Sequence, residues 1–275
     1  MSHFTVMVMS DGPGEVEDLL APYDENLEVE PYIRYTKEDL IKNKRDNLLD
    51  YKKRVYEEYL ADPDAYREKV GPNSEVHLDY VSKEFPSLLS HIDDDEFLYK
   101  ESLEGYEEEE IDKETGGIIS TYNPKSKWDW WVEGGRWSNY LTLKDGSKAD
   151  DAYAEEIDFS PSKEDISYYS RLWDIIVNGE KPENRDEEFS VRFYRKESLL
   201  AEYETKENYI EKQTAFHTYA VITPDGEWYE PGEMGWWGVS FATDEDNKKW
   251  NEEFPKFIEE AIENNYYITI VDCHI

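Results

Sequence analysis

The sequence predicts an α+β fold: a mainly antiparallel central sheet with helices on one face, interrupted by helical and acidic insertions. Three observations carry this reading. The chain closes on a hairpin signal, a strongly periodic helix and a short apolar strand; a similar apolar strand opens it; and the stretches between switch to a helical period or to runs of acid. Residues 1–36, 116–149 and 213–275 are then the sheet domain, with 37–115 a helical and acidic insertion and 150–212 a helical one.

His3–Met9 reads as a short buried strand, ended by Ser10-Asp11-Gly12-Pro13-Gly14, which is turn chemistry. A phosphate loop at this point is disfavoured, because Asp11, Glu15, Glu17 and Asp18 repel a phosphate and no lysine follows at the required spacing. Leu27–Tyr35 alternates weakly and contains Pro31, which suits an edge strand or an extended loop. From Glu38 to about Leu60 the period is helical, with Leu40, Ile41, Leu48, Val55 and Tyr59 on one face and mixed charges on the other; Pro63 ends the run. Residues 91–114 carry twelve acids and two lysines and read first as a mobile loop, although Phe97, Leu98, Leu103, Tyr106 and Ile111 keep an ordered acidic surface open.

In Lys127–Trp137, KWDWWVEGGRW, four tryptophans, two glycines and an arginine share eleven positions. WDWWVEGG and WSNYLTLKDG read as two strands with Gly134-Gly135 as the turn or bulge between them and Asp145-Gly146 as the next turn. Alternation sends Trp128 and Trp130 to one face, the expected core, and Trp131 to the other. Arg136 can stack on an indole or fork onto Glu133 or Glu233. Ser162 and Asp165 open a helix with Ile166, Tyr169, Leu172, Trp173 and Ile176 on one face, closed near Asn178-Gly179; a second helical stretch covers Lys196–Lys212. Phe216–Ile222 and Glu227–Tyr229 flank Thr223-Pro224-Asp225-Gly226 as a hairpin, and MGWWGVSF follows as a strand. Thr243 and Asp246 cap the last helix, where Trp250, Phe254, Ile258 and Ile262 recur every four residues around Pro255, before the strand Tyr266–Val271.

The chain has 275 residues, with 30 Lys+Arg against 66 Asp+Glu and a formal net charge of −36. Magnitudes of about 2–8 suffice for solubility of a small domain. Such a charge argues against nucleic acid as a direct ligand, since phosphates are repelled with no basic stripe to compensate. An aromatic content of 15% argues for packed structure over disorder. No apolar run approaches a membrane span, and MSHFTVMVMS lacks the pattern of a signal peptide, so a cytoplasmic location is expected. The single cysteine, Cys273, excludes an intrachain disulfide and a multi-cysteine zinc site. His3, His77, His91, His217 and His274 form no recognised metal spacing, and no calcium loop is present. Cys273 and His274 are adjacent on a strand and point to opposite faces. No catalytic residue, metal or cofactor is expected.

Three blocks, MSHFTVMV with LAPYDEN, NPKSKWDWWVEGGRWSNYLTL and TPDGEWYEPGEMGWWG, resemble a family of bacteriophage-encoded anti-defence proteins, the inhibitors of the Gabija system. The blocks span about a fifth of the chain; residues 37–115 and 150–212 lie outside the resemblance. It implies a non-enzymatic homo-oligomer in the bacterial host cytoplasm that binds the Gabija nuclease–helicase complex and keeps it from DNA. A very acidic chain suits a basic DNA-binding surface on such a partner, by DNA mimicry or by wrapping the complex from outside. The candidate contacts are Trp131, Arg136, Trp137, Trp236 and Trp237, the anchor types of interface hot spots, together with Asp93, Asp94, Asp95, Glu107, Glu108, Glu109 and Glu110. The alternative is a hydrolase, or a protein that processes or sequesters a nucleotide, with its pocket at the tryptophan–glycine–arginine blocks.

Overall fold

A computed structural model describes residues 2–235 and 239–275. Among these the strands in chain order are β1 (His3–Ser10), β2 (Glu28–Tyr35), β3 (Ile118–Tyr122), β4 (Trp130–Glu133), β5 (Leu141–Thr142), β6 (Lys148–Ala149), β7 (Asp151–Tyr153), β8 (Ala220–Ile222), β9 (Trp228–Tyr229) and β10 (Tyr267–His274). The chain divides into two compact units, one of Met1–Leu27 with Asn123–Ile275 and one of Glu28–Tyr122.

The first unit is α+β, built on a sheet of order β4-β10-β1-β8-β9, with β7 also paired to β10. The β1–β8 pairing is parallel and the others antiparallel. Residues opposite one another across a ladder share a face. Met7 lies opposite Ile270 and Met9 opposite Ile268, and these four pack with Leu141, Ala152 and the helix residues Trp250, Phe254 and Ala261. On the other face Phe4, Val6, Val8, Val271 and Cys273 pack with Ala220, Ile222, Leu20, Tyr23 and Trp128. The long helix thus covers one face, and the short helix Val16–Leu20 with two aromatic loop residues closes the other. Coverage on both faces explains why β1 and β10 are buried along almost their whole length.

The helix Asp244–Asn264 begins where its sequence says it should. Thr243 Oγ1 accepts from Asp246 N at 3.2 Å, the Asp246 carboxylate accepts from Thr243 N at 2.8 Å, and Asn265 ends it at φ 50°. Pro255 stands inside this helix without restarting it. Ile262 is half-exposed, and Ala261 takes its place in the core. The reason is helical geometry: a strict four-residue spacing drifts by about 40° per step, so a residue twelve positions after Trp250 has rotated about 120° off the buried face.

Three expectations are corrected here. The strand before Gly134-Gly135 does not pair with the strand after it: β4 runs antiparallel along β10, while β5 pairs β6 across the Asp145-Gly146 turn. The pair β2–β3 forms its own sheet in the second unit, although the sequence grouped 28–36 and 116–122 with the central sheet. Residues 151–153 belong to the central sheet as β7, so 150–212 is not wholly helical. The helix Lys163–Ile176 forms as expected from Ser162, whose Oγ accepts from Asp165 N at 3.0 Å. The next stretch splits into Lys196–Tyr203 and Lys206–Thr214, broken at Glu204 with φ 61°. Leu199, Trp173 and Tyr209 bind these helices into a separate small core.

The second unit pairs β2 with β3, with a register shift between Glu28 and Tyr32 that spans Pro31. The helix Lys37–Tyr51 starts from a reciprocal Thr36–Asp39 cap. It runs through one wider turn, Lys52–Tyr56, into Glu57–Ala61. Leu48, Phe85 and Leu98 form the core. Leu98 lies in the acidic stretch, which is a corrected expectation: Asp95–Ser102 is a helix, capped by the Asp94 carboxylate accepting from Phe97 N at 3.1 Å. Arg45 fastens it by pairing with Asp95 and donating from Nε to Ile92 O at 3.1 Å. One fully buried leucine and a cap outweigh the local charge density.

Candidate functional site

Toward the end of β10 the face that carries Met7 and Ile270 changes from apolar to polar: Thr5 lies opposite Asp272, and His3 opposite His274. His3 Nδ1 is 2.7 Å from Asp272 Oδ1, and Asp272 Oδ2 accepts from Arg136 N at 2.9 Å. His274 Nδ1 is 2.5 Å from Asp129 Oδ1, while Asp129 N donates to His274 O at 2.9 Å. The two imidazoles meet edge to face at 5.1 Å. Trp130 stacks flat on His274 at 5.3 Å and stands edge-on to His3 at 5.3 Å. Asp272 and His274 are buried, and His274 Nε2 has no hydrogen-bond partner among the described residues.

The paired glycines make this arrangement possible. Gly134 and Gly135 have φ 67° and 52°, the left-handed region that favours glycine. A Cβ on Gly135 would come within 2.5 Å of both Cβ and Oδ2 of Asp272, and one on Gly134 would strike the Asp150 carboxylate. Bare backbone therefore lies against both acids, and the turn Gly135–Trp137 presents the Arg136 N–H to Asp272.

The predicted contact residues separate on inspection. Trp128 is core, at 6% exposure, but Trp130 is 42% exposed, against the expectation that both are buried. Trp128 precedes the strand and sits beside Asp24 in an isolated bridge, so strand alternation does not link it to Trp130. Trp131 and Trp137 are half-buried and pack against opposite cores, which makes them structural on one side and accessible on the other. Arg136 is exposed and forms no ion pair with Glu133 or Glu233 and no stacking contact on an indole among the described residues. Trp236 and Trp237 lie outside the described residues. Asp93, Asp94, Asp95 and Glu107 to Glu110 are exposed and belong to the second unit. Asp94 is spent on a helix cap and Asp95 on Arg45, whereas Glu107 to Glu110 form a short turn in which Glu110 Oε2 accepts from Glu107 N at 2.7 Å.

The His–Asp cluster itself escaped the sequence reading. Alternation does place Asp272 and His274 on one face, two residues apart, but their partners His3 and Asp129 arrive from distant parts of the chain.

At the other end of β4 lies a second acidic group. Gly134 N donates to Ile270 O and Ile270 N to Asp150 O, each at 2.8 Å, so β4 and β7 follow one another along the same edge of β10. Glu133 and Asp151 meet there, each opposite a residue of β10. A hydrogen bond with Asp151, burial and the nearby Asp150 push the Glu133 carboxyl up from 4.5 to about 7. Burial and Asp151 also raise the Tyr267 hydroxyl. The folded chain therefore holds a proton that the unfolded chain releases between pH 4.5 and about 7, so this group's contribution to stability declines as pH rises through that window. Melting temperatures measured across that range are expected to fall with pH, and Glu133→Gln is expected to flatten the decline. Solvent around the exposed glutamate keeps the effect small.

The resemblance blocks converge on this unit. Asn123 Nδ2 donates to Pro22 O at 2.8 Å and Asp24 O at 2.9 Å; Tyr23 OH donates to Gly226 O at 2.6 Å. Lys127 Nζ and Trp228 Nε1 both donate to Glu230, at 2.7 and 2.8 Å. No described group of three or more His, Cys, Asp or Glu side chains is arranged to hold a metal ion. Burial pushes the Cys273 thiol up, which disfavours the nucleophilic thiolate. No family model, curated protein or solved structure matches the chain.

Proposed function

We propose that the chain is a phage-encoded, non-enzymatic inhibitor that binds a basic DNA-binding surface of a host defence complex of the Gabija type, in the bacterial cytoplasm, and blocks its action on DNA. One observation carries the reading: in a chain of net charge −36, the densest acidic stretch is fixed on a capped helix and a bonded turn. Fixed charges present a steady potential to a cationic partner, steer its approach and cost little ordering on binding. Among the described residues no helix is long and apolar enough to cross a membrane. Wrapping fits better than mimicry of a DNA rod, because Leu49, Leu60 and Val76 of the same unit are exposed among the charges and suit a mixed interface.

Purification from a bacterium carrying the defence complex tests this reading. A stoichiometric nuclease–helicase in the eluate is expected; its absence, with DNA cleavage by the complex unchanged, overturns the proposal. If the acids steer the encounter, replacing Glu107, Glu108, Glu109 and Glu110 by glutamine slows association several-fold and weakens its salt dependence while dissociation changes little, since exposed charges act over about 8 Å at physiological salt. Stopped-flow or surface-based kinetics at two salt concentrations reads both.

A second reading has one observation in its favour. The unpartnered Nε2 of buried His274, beside the His3–Asp272 pair and below Trp130, is a polar group of the sort that ligand sites contain. A nucleotide-processing or nucleotide-sequestering protein would use it with Arg136. Release of a stoichiometric nucleotide on denaturing the purified protein, lost in Arg136→Ala, would favour this reading over the first.

A further inference from the structure

Two carboxylates at the end of β10 hold two imidazoles in the same way. His3 Nδ1 is 2.7 Å from Asp272 Oδ1, and His274 Nδ1 is 2.5 Å from Asp129 Oδ1. An ionised carboxylate only accepts, so each Nδ1 carries the hydrogen and each neutral ring keeps a lone pair at Nε2. Neither Nε2 has a hydrogen-bond partner among the described residues, and that of His274 is buried. A buried acceptor without a donor is costly, so its presence calls for a ligand.

Histidines that hold a metal ion have their other ring nitrogen fixed on a carboxylate or carbonyl in this manner. His3 and His274 stand directly opposite across the β1–β10 ladder, with ring centres 5.1 Å apart and planes at 76°. Two imidazoles sharing one tetrahedral zinc through nitrogens at about 2.0–2.1 Å place their ring centres about 5 Å apart. Asp272 gives its other oxygen to Arg136 N, and Cys273 packs on the opposite face, so neither adds a ligand. Two protein ligands leave positions open to water or to a donor atom of a bound molecule. A path for the ion exists at His3, whose side chain is 11% exposed.

We propose that His3 and His274 bind one divalent transition-metal ion of the zinc or copper class through Nε2, with Asp272 and Asp129 as positioning residues. Imidazole suits Zn²⁺ and Cu²⁺, whereas Mg²⁺ and Ca²⁺ take oxygen ligands. Excess Mg²⁺ therefore occupies the carboxylates of a chain with 66 acids and leaves this site free. The site goes beyond both functional readings and depends on neither.

Calorimetric titration of Zn²⁺ into the full chain, purified without a histidine tag and kept in excess Mg²⁺, is the test. One ion per chain is expected. His3→Gln and His274→Gln should each weaken binding by at least about tenfold, the least that loss of even a supporting partner costs at such sites. His217→Gln, at an exposed ring outside the cluster, should change nothing. Paramagnetic resonance of Cu²⁺ on the wild type needs no variant to fold, and is expected to show coupling to two imidazole nitrogens. Zinc binding that Mg²⁺ abolishes, undiminished binding in His3→Gln, an equal loss in His217→Gln, or fewer than two coupled nitrogens would each overturn the proposal.

Discussion

Replacing Trp128 by alanine is expected to lower the free energy of unfolding by about 3–5 kcal/mol, the range for truncating a large buried aromatic side chain. The indole is 6% exposed and packs with Phe4, Val6, Val8, Leu20 and Tyr23 on the sheet face opposite the long helix. Trp130→Ala, two residues on, is expected to cost about 1 kcal/mol, since the indole is itself 42% exposed and loses its ring contacts with His274 and His3. Urea unfolding of the two variants side by side reads the difference. Equal losses would show that the segment acts as one packed corner.

The second large effect is expected at Asp272. Its carboxylate is 2% exposed, binds the His3 ring and accepts the Arg136 N–H that orients the glycine turn. Asp272→Ala leaves two polar groups without their partner at a largely buried position, at a cost of about 2–4 kcal/mol. Asp272→Asn keeps an acceptor for the backbone N–H and should lose less. Gly135→Ala attacks the same contact from the other side, because its new methyl group would meet Asp272 while the backbone holds φ 52°. The thermal unfolding midpoint should fall in the order Ala, then Asn, at position 272. A neutral Asp272→Ala would mean that the turn is held by β4 pairing alone.

Local chemistry was legible in the sequence where the partners were near. The Thr243–Asp246 cap, the hairpin around Asp225-Gly226 and the Ser162 helix start are made by residues within a few positions of each other, and all form as read. The central sheet with its flanking long helix followed from the periodicity of the C-terminal segment. What the sequence hid was pairing at a distance. β4 abandons the strand that follows it because β10, more than a hundred residues downstream, takes its edge. The same distance hid the candidate site, since strand register brings His3 to Asp272 and the residue just before β4, Asp129, to His274. Composition misled in one place: the acidity of 91–114 hid Asp94 as a cap and outweighed Leu98, one of the apolar residues that pointed to order.

The position of β1 between β8 and β10 also dictates the order in which a growing chain can fold. Both neighbours of β1 are made late: β8 begins at Ala220 and β10 at Tyr267. At roughly 5–20 residues per second, the apolar run from Phe4 to Met9 waits on the order of ten to fifty seconds for its antiparallel partner. The unit Glu28–Tyr122 needs no residue from later in the chain and can close while the ribosome is still at work. Stalled nascent chains should therefore acquire protease resistance in two stages, the inner unit first and the sheet only once residues near His274 have cleared the exit tunnel. During that interval the waiting strand is the molecule's point of exposure to chaperones.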